Sequence, residues 1–267
     1  MPHPARRDVT QAASVRAQRQ WWDAEADDYY AEHGEFLGDA SFVWGPEGWT
    51  EADLGLLSPD GGMPRGPVLE IGGGAGQCAR WLRTRGVDVI TSDLSGGMAR
   101  RARSLNRTTG VPVPVLQCDA ARLPFGDTTF GTVFTAYGAV PFVADSARVM
   151  RETARVLVAG GRFVFSTTHP IRWAFPDVPG RAGLTVHQSY FDTRPYAEFD
   201  DRGRLTYVEH HRTMGARVRE LVAAGFRVLD VVEPEWRDGN DSEWGGWSPL
   251  RGRLIPGTAI FVAEKAD

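Results

Sequence analysis

The 267-residue sequence holds a single lysine, Lys265, among its 30 basic residues, and only two cysteines, Cys78 and Cys118. Two cysteines exclude a disulfide framework and a four-ligand zinc site; both read as small core hydrophobes. No two histidines stand at a spacing diagnostic of a metal, so no metal is expected. No apolar run approaches the roughly 18 residues that span a bilayer, and no apolar segment follows the N-terminus. The expectation is a cytoplasmic chain with no membrane partner. A net charge of −4 gives no general attraction to phosphate backbones, so no nucleic-acid partner is expected either. What remains is an ordinary globular composition, 24% charged and 42% hydrophobic, with one excess: nine tryptophans.

No internal repeat or low-complexity segment is present. Residues 8–33 read as a helix carrying Trp21, Trp22, Tyr29 and Tyr30 between acidic residues, and a turn-rich stretch follows to Gly66. From residue 68 the pattern becomes regular. Strands are expected at 68–71, 87–92, 113–118, 132–135, 162–167, 226–232 and 258–263. Helices are expected at 77–85, 95–105, 146–157 and 216–224, with Ser95 able to cap the second of these. Strands alternating with helices predict a parallel sheet covered on both faces. The last strand has no helix before it and reads as antiparallel. Two irregular stretches, 168–212 and 234–257, interrupt the rhythm and carry many aromatics.

The first strand, Val68-Leu69-Glu70-Ile71, runs into Gly72-Gly73-Gly74-Ala75-Gly76 and then a helix. A turn without Cβ atoms lets a ligand approach backbone, and the helix start presents free N–H groups. Taken alone, Gly74 to Ala79 also fits the GxGxxA dinucleotide pattern, with Asp93 at a plausible ribose distance. The surroundings point elsewhere. Glu70 to Gly76 resembles the ExGxGxG motif of class I S-adenosylmethionine-dependent methyltransferases, small-molecule (UbiE-like) branch. Asp93 ends the second strand, 17 residues after Gly76, and Asp119-Ala120 ends the third. Phe130-Gly131-Thr132-Val133-Phe134, then Arg155-Val156-Leu157 with Gly160-Gly161, and finally residues 221–226 match the family in order. The resemblance is strong over residues 66–167 and moderate over 210–263.

That resemblance implies S-adenosyl-L-methionine as cofactor, with Glu70, Gly72, Gly73, Gly74 and Gly76 forming its turn. Asp93 would take the ribose hydroxyls and Asp119 the adenine amine. Leu94, Met98 and Ala120 would flank the adenosine, while Ala136 and Tyr137 face the methionine end. In the resembled family an N-terminal helix often closes over the cofactor, which favours Tyr29 or Tyr30 as its shield. On the residues alone, Asp93 and Asp119 also read as turn or helix caps.

His169 follows the fifth strand on the edge where such sheets bind ligands, which makes it the candidate general base. A hydrogen-bonding role at the loop start is the equal alternative. Trp44, Trp173, His187, Tyr190 and Trp244 are the candidate acceptor contacts. His210 and His211 read as structural, and Arg100, Arg103 and Arg107 as a solvated helix face. The expected architecture is an α/β, Rossmann-like seven-stranded mixed sheet with helices on both faces. Residues 1–65 form an N-terminal helical cap and residues 66–267 the methyltransferase domain, with substrate insertions at about 168–212 and 234–257. The expected function is in-line methyl transfer to a small-molecule acceptor, which rests on positioning and water exclusion. Thr135-Ala136-Tyr137-Gly138 stands where amino-group methylases of DNA carry Asn/Asp-Pro-Pro-Tyr. The alternatives are an NAD(P)-dependent oxidoreductase, disfavoured by the missing lysine, and a non-catalytic S-adenosylmethionine-binding protein. Acceptor identity, the nucleophilic atom and the oligomeric state do not follow from the sequence.

Overall fold

The computed structural model describes residues 3–267. Strand β2 (Val68–Ile71) lies inside a seven-stranded sheet, third from one edge. To one side come β3 (Val89–Asp93) and β4 (Val115–Gln117). To the other come β5 (Phe130–Ala136), β6 (Leu157–Thr168), β10 (Thr258–Lys265) and β9 (Phe226–Val232), in that order. The β4-β3-β2-β5-β6 part is parallel, and β10 runs antiparallel to both β6 and β9. The seven expected strands all form. The fifth begins earlier than its glycines suggested, because Leu157 leaves α5 (Ser146–Val156) directly into β6.

Period-two alternation along the buried strands divides the core between the two faces of the sheet. Leu69, Ile71, Val133, Phe163, Phe165 and Phe261 point to one face. There they meet Val149, Met150 and Ala154 of α5 and Leu221 of α6 (Met214–Ala223). Val68, Val89, Phe134, Val164, Ile260 and Val262 point to the other face, against Cys78, Ala79 and Leu82 of α3 (Gln77–Arg83). Phe42, Trp44 and Leu57, on either side of the short α2 (Glu51–Leu54), complete that second layer. Trp44 is therefore a core residue and not an acceptor contact. Its ring is fully buried, 4.7 Å from Phe42, and its Nε1–H donates to Glu51 Oε2 at 2.9 Å.

The expected N-terminal helix forms as α1 (Gln11–Leu37), longer than its pattern suggested and started by Thr10, whose hydroxyl accepts the N–H of Ala13. The stretch after β6 is less irregular than it reads. It contains β7 (Tyr196–Phe199) and β8 (Leu205–Glu209), which join β1 (His3–Arg6) in an antiparallel three-stranded sheet. Ala197 and Val208 fill one face of that sheet, while α1 lays Trp21 against Tyr207 at 4.9 Å. Helix α4 (Gly96–Thr109) covers β3 and β4, and packs on α1. Among the described residues no helix is long and apolar enough to cross a membrane.

Candidate active site at the carboxyl edge of the sheet

The carboxyl ends of β2, β3, β4 and β5 open into a cavity of about 480 Å³ roofed by α1. At its floor, Gly72 has φ +62°, and a Cβ there would stand 2.6 Å from the backbone nitrogen of Ala139. A Cβ on Gly73 would stand 2.5 Å from the Glu70 carboxylate, so that carboxylate can lie directly beneath the turn. Glu70 is buried, and its Oε2 has no hydrogen-bond partner. Burial pushes its pKa up to about 7 against the opposing pull of Thr91 and Arg80. Arg80, fully buried, braces the turn from behind by donating to the carbonyls of Ala75 at 2.7 Å and Asp39 at 2.6 Å. Nothing in the sequence pattern singled out Arg80, whose contacts lie 41 residues apart at one of these bonds.

Asp93 sits where β3 ends. Its Oδ2 accepts the Gly74 N–H at 2.9 Å and its Oδ1 the Ser95 N–H at 2.8 Å. Asp93 thus caps the turn, as one of its two readings expected, and it also lines the cavity. Burial raises its pKa. Asp119 Oδ1 accepts the Ala121 N–H at 2.8 Å, and Ala120, Leu94 and Met98 of α4 line the same cavity. Ala136 and Tyr137 close the opposite side at the end of β5, where Tyr137 takes a left-handed φ of +58°. Its hydroxyl donates to the Gly257 carbonyl at 3.2 Å and lies 3.0 Å from Thr258 Oγ1. Gly76 alone among the expected turn residues does not line the cavity; it starts α3 with φ +76° beside Arg80.

The roof is aromatic. Tyr29 and Tyr30 both line the cavity, as do Trp21, Trp22 and Trp244. Trp22 meets Tyr29 edge-on at 5.3 Å, and Trp244 stacks on His33 at 4.0 Å. Trp244 comes from the second insertion, so α1 and that insertion close one lid together. Burial raises the pKa of Tyr29, while Tyr30 donates its hydroxyl to Asp39.

The other candidates lie elsewhere. His169 is buried outside the cavity, with both ring nitrogens engaged: Nδ1 accepts the Ile171 N–H at 3.1 Å, and Nε2 meets Glu233 Oε1 at 2.7 Å. Burial lowers its pKa despite that carboxylate. His169 is therefore the loop-start hydrogen-bonder, not a base facing the cavity. Trp173 is buried between two guanidinium groups, Arg6 at 4.6 Å and Arg172 at 4.3 Å, and does not line the main cavity. Tyr190 anchors a junction: its hydroxyl accepts the Met214 N–H and its carbonyl meets His211 Nε2, each at 2.7 Å. His187 lines a second cavity beside the first. Of the nine tryptophans, Trp21, Trp22, Trp244 and Trp247 line the main cavity.

Four further cavity residues to which the sequence assigned no role, Arg172, Asp177, Tyr207 and Glu209, also border the second cavity. Arg172 Nη2 pairs with Asp177 at 2.6 Å, and Tyr207 donates to Glu209 Oε1 at 2.8 Å. They come together only because β8 folds back beneath α1.

Residues 69–165 match the family model of a methyltransferase domain. The chain is 34% identical over 126 residues to a demethylmenaquinone methyltransferase of Thermus thermophilus, covering 46% of this chain and 54% of that one. It is 38% identical over 104 residues to a ubiquinone/menaquinone biosynthesis C-methyltransferase of Stenotrophomonas maltophilia, covering 37% and 41%. The chain thus spans about half the length of the curated relatives it matches. Among solved structures, an S-adenosylmethionine-dependent methyltransferase of Mesorhizobium loti is similar at 28% identity and TM-score 0.56, covering 74% of this chain and 90% of that one. The shared segment is the one that builds the glycine turn, Asp93, Asp119 and the end of β5. Residues 69–165 thus match a methyltransferase domain, and the chain is similar there to class I S-adenosylmethionine-dependent methyltransferases.

Proposed function

We propose that this chain transfers a methyl group from S-adenosyl-L-methionine to a small-molecule acceptor. The observation that carries the reading is the position of Asp93, which ties the glycine turn to the start of α4 while facing the cavity. The residues present fit the cofactor. The buried, unpartnered Glu70 Oε2 beneath the turn suits the methionine ammonium, directly or through the turn backbone. Asp93 suits the ribose diol and Asp119 with Ala120 the adenine.

When bound, the cofactor supplies a methyl group activated by a sulfonium. The chain's own part is to orient and to exclude water. Glu70, Asp93 and Asp119 fix the cofactor along the sheet edge. The lid of Trp22, Tyr29 and Trp244 keeps solvent from the reacting atoms, and its ring faces suit a cationic centre. Arg172, Asp177, Tyr207 and Glu209 line the part shared with the second cavity, which makes that part the acceptor's.

An oxidoreductase reading fares worse, because Lys265 lies far from the cavity and donates its Nζ to the Leu157 carbonyl at 2.7 Å. Calorimetry with S-adenosylmethionine, S-adenosylhomocysteine and NAD tests the proposal. Binding of the first two and not the third is expected; no binding of either would overturn it. Labelled methyl donor with a panel of acceptors then identifies the substrate.

A further inference from the structure

A second cavity, of about 490 Å³, adjoins the first and shares Arg172, Asp177, Tyr207 and Glu209 with it. Its wall is one face of the β7–β8 pair. Tyr196 stands opposite Glu209, and Glu198 opposite Tyr207, in the antiparallel register. Side chains two apart on a strand share a face, so these four form a two-by-two checkerboard of carboxylates and phenol rings. All four line the second cavity. Each tyrosine donates to the carboxylate two residues along its own strand, Tyr196 to Glu198 at 2.6 Å and Tyr207 to Glu209 at 2.8 Å. The rings lie 6.5 Å apart.

The cations nearby make their direct contacts elsewhere, although Arg172 and Arg6 also attract Glu209. Arg172 pairs with Asp177 and lies over the Trp173 ring. Arg6 lies over the same ring from 4.6 Å and donates to the Arg194 carbonyl at 2.9 Å. Counting Arg6, Arg172, Asp177, Glu198 and Glu209, the wall carries one more negative charge than positive. Burial raises the pKa of Glu209, and Arg172 and the Tyr207 hydroxyl offset part of that rise. Two carboxylates beside two electron-rich ring faces complement an organic ammonium group by charge, hydrogen bonding and cation–π attraction.

We propose that the acceptor is an amine-bearing small molecule whose protonated amine is held by Glu209 and Glu198 against the Tyr196 and Tyr207 rings. Its other end passes the shared wall into the cofactor cavity. A protonated amine has no free lone pair, so the methylated atom belongs to that other end and the amine is the recognition handle. This deepens the reading of the site as a methyltransferase, and it rests on that reading for the fate of the acceptor.

The test is calorimetry on the full chain saturated with S-adenosylhomocysteine, titrated with 2-phenylethylamine, 2-phenylethanol and 3-phenylpropionate. The amine is expected to bind about tenfold tighter than the alcohol or the acid, the scale of one charge-assisted contact. Glu209→Gln and Glu198→Gln, each nearly isosteric, should bring the amine down to the alcohol's level, with S-adenosylhomocysteine affinity as the control for folding. Equal binding of the three, a preference for the alcohol or the acid, no binding of any, or a preference unchanged in both variants would overturn the proposal. Failure of S-adenosylhomocysteine to bind overturns the methyltransferase reading instead. The same three titrations on the ligand-free chain then still decide amine recognition.

Discussion

Ser95 Oγ donates to Asp23 Oδ1 at 2.7 Å, and the same oxygen accepts the Gly97 N–H at 2.8 Å. The lid helix α1 is thereby fastened to the first turn of α4, two residues beyond Asp93. Contact is close enough that a Cβ on Gly97 would come within 2.8 Å of the Asp23 carbonyl. Burial works to raise the Asp23 pKa, but the Gly97 N–H and the Ser95 hydroxyl prevail and hold it below its ordinary value. The carboxylate is charged at neutral pH and faces a helix N-terminus, where a negative charge is favoured. Asp23→Ala is expected to cost about 1 kcal/mol of stability and to weaken S-adenosylhomocysteine binding several-fold by freeing the lid. Thermal unfolding with and without that ligand checks both effects, and an unchanged affinity would separate the lid from the cofactor.

Asp93→Ala removes two hydrogen bonds that order the glycine turn together with the candidate ribose contact. Bonds to a charged group contribute about 1.5–3 kcal/mol each. An affinity loss for S-adenosylhomocysteine of about a hundredfold or more is expected by calorimetry. Asp93→Asn retains one acceptor oxygen, which can serve the turn or the ribose but not both fully. Its loss should fall between wild type and alanine.

Glu70 and Glu47 both have pKa values raised by burial to about 7. The folded chain therefore holds more protons on them than the unfolded chain, and their contribution to stability falls as pH rises from about 4.5 to about 7. His210 and His211, lowered by burial to about 4, tilt the profile the other way up to about 6.5. The decisive measurement is thus a difference. Urea midpoints of Glu70→Gln or Glu47→Gln should gain on wild type between pH 5 and 7.5, by something on the order of 2 kcal/mol at the upper end. A constant offset across that range would show that the two carboxylates do not titrate there.

His169→Ala should leave turnover within about threefold, once an acceptor is known, because the imidazole faces Glu233 and the Ile171 N–H. The expected cost is about 1–2 kcal/mol in stability from the lost hydrogen bonds. A turnover loss of about a hundredfold, the usual scale of general base catalysis, would restore His169 as the base.

Trp44→Ala should destabilise the chain by about 3–5 kcal/mol, as large-to-small changes in a closed core do. The remaining folded fraction should bind S-adenosylhomocysteine as wild type does, and Trp44→Phe should fold with a smaller penalty. Weakened binding in a well-folded Trp44→Phe would place that ring nearer the site than the second core layer.

The sheet and the cofactor edge were legible in the sequence because their determinants are local. Val68 to Ile71 alternates between two buried faces, the glycines answer to the turn immediately after it, and Asp93 and Asp119 each end a strand. Tyr29 and Tyr30 could be placed in the lid through their helix and the resemblance. The aromatic excess was less informative. A tryptophan has the same local signature whether it plugs a core, as Trp44 does, or roofs a cavity, as Trp22 and Trp244 do. His169 shows the same limit: its position on the ligand edge was read correctly, but the direction of its ring was set by Glu233, 64 residues away.

By itself the sequence determined the seven strands of the main sheet and their helices, the glycine turn and the acids that end the second and third strands, since hydrophobic period and turn chemistry act within a few residues. Tertiary structure decided what lies opposite that edge. Arg172, Asp177, Tyr207 and Glu209 meet only when β7 and β8 pair with β1 and slide beneath α1. Charge and burial at that wall depend on contacts between segments more than a hundred residues apart, which no local pattern records.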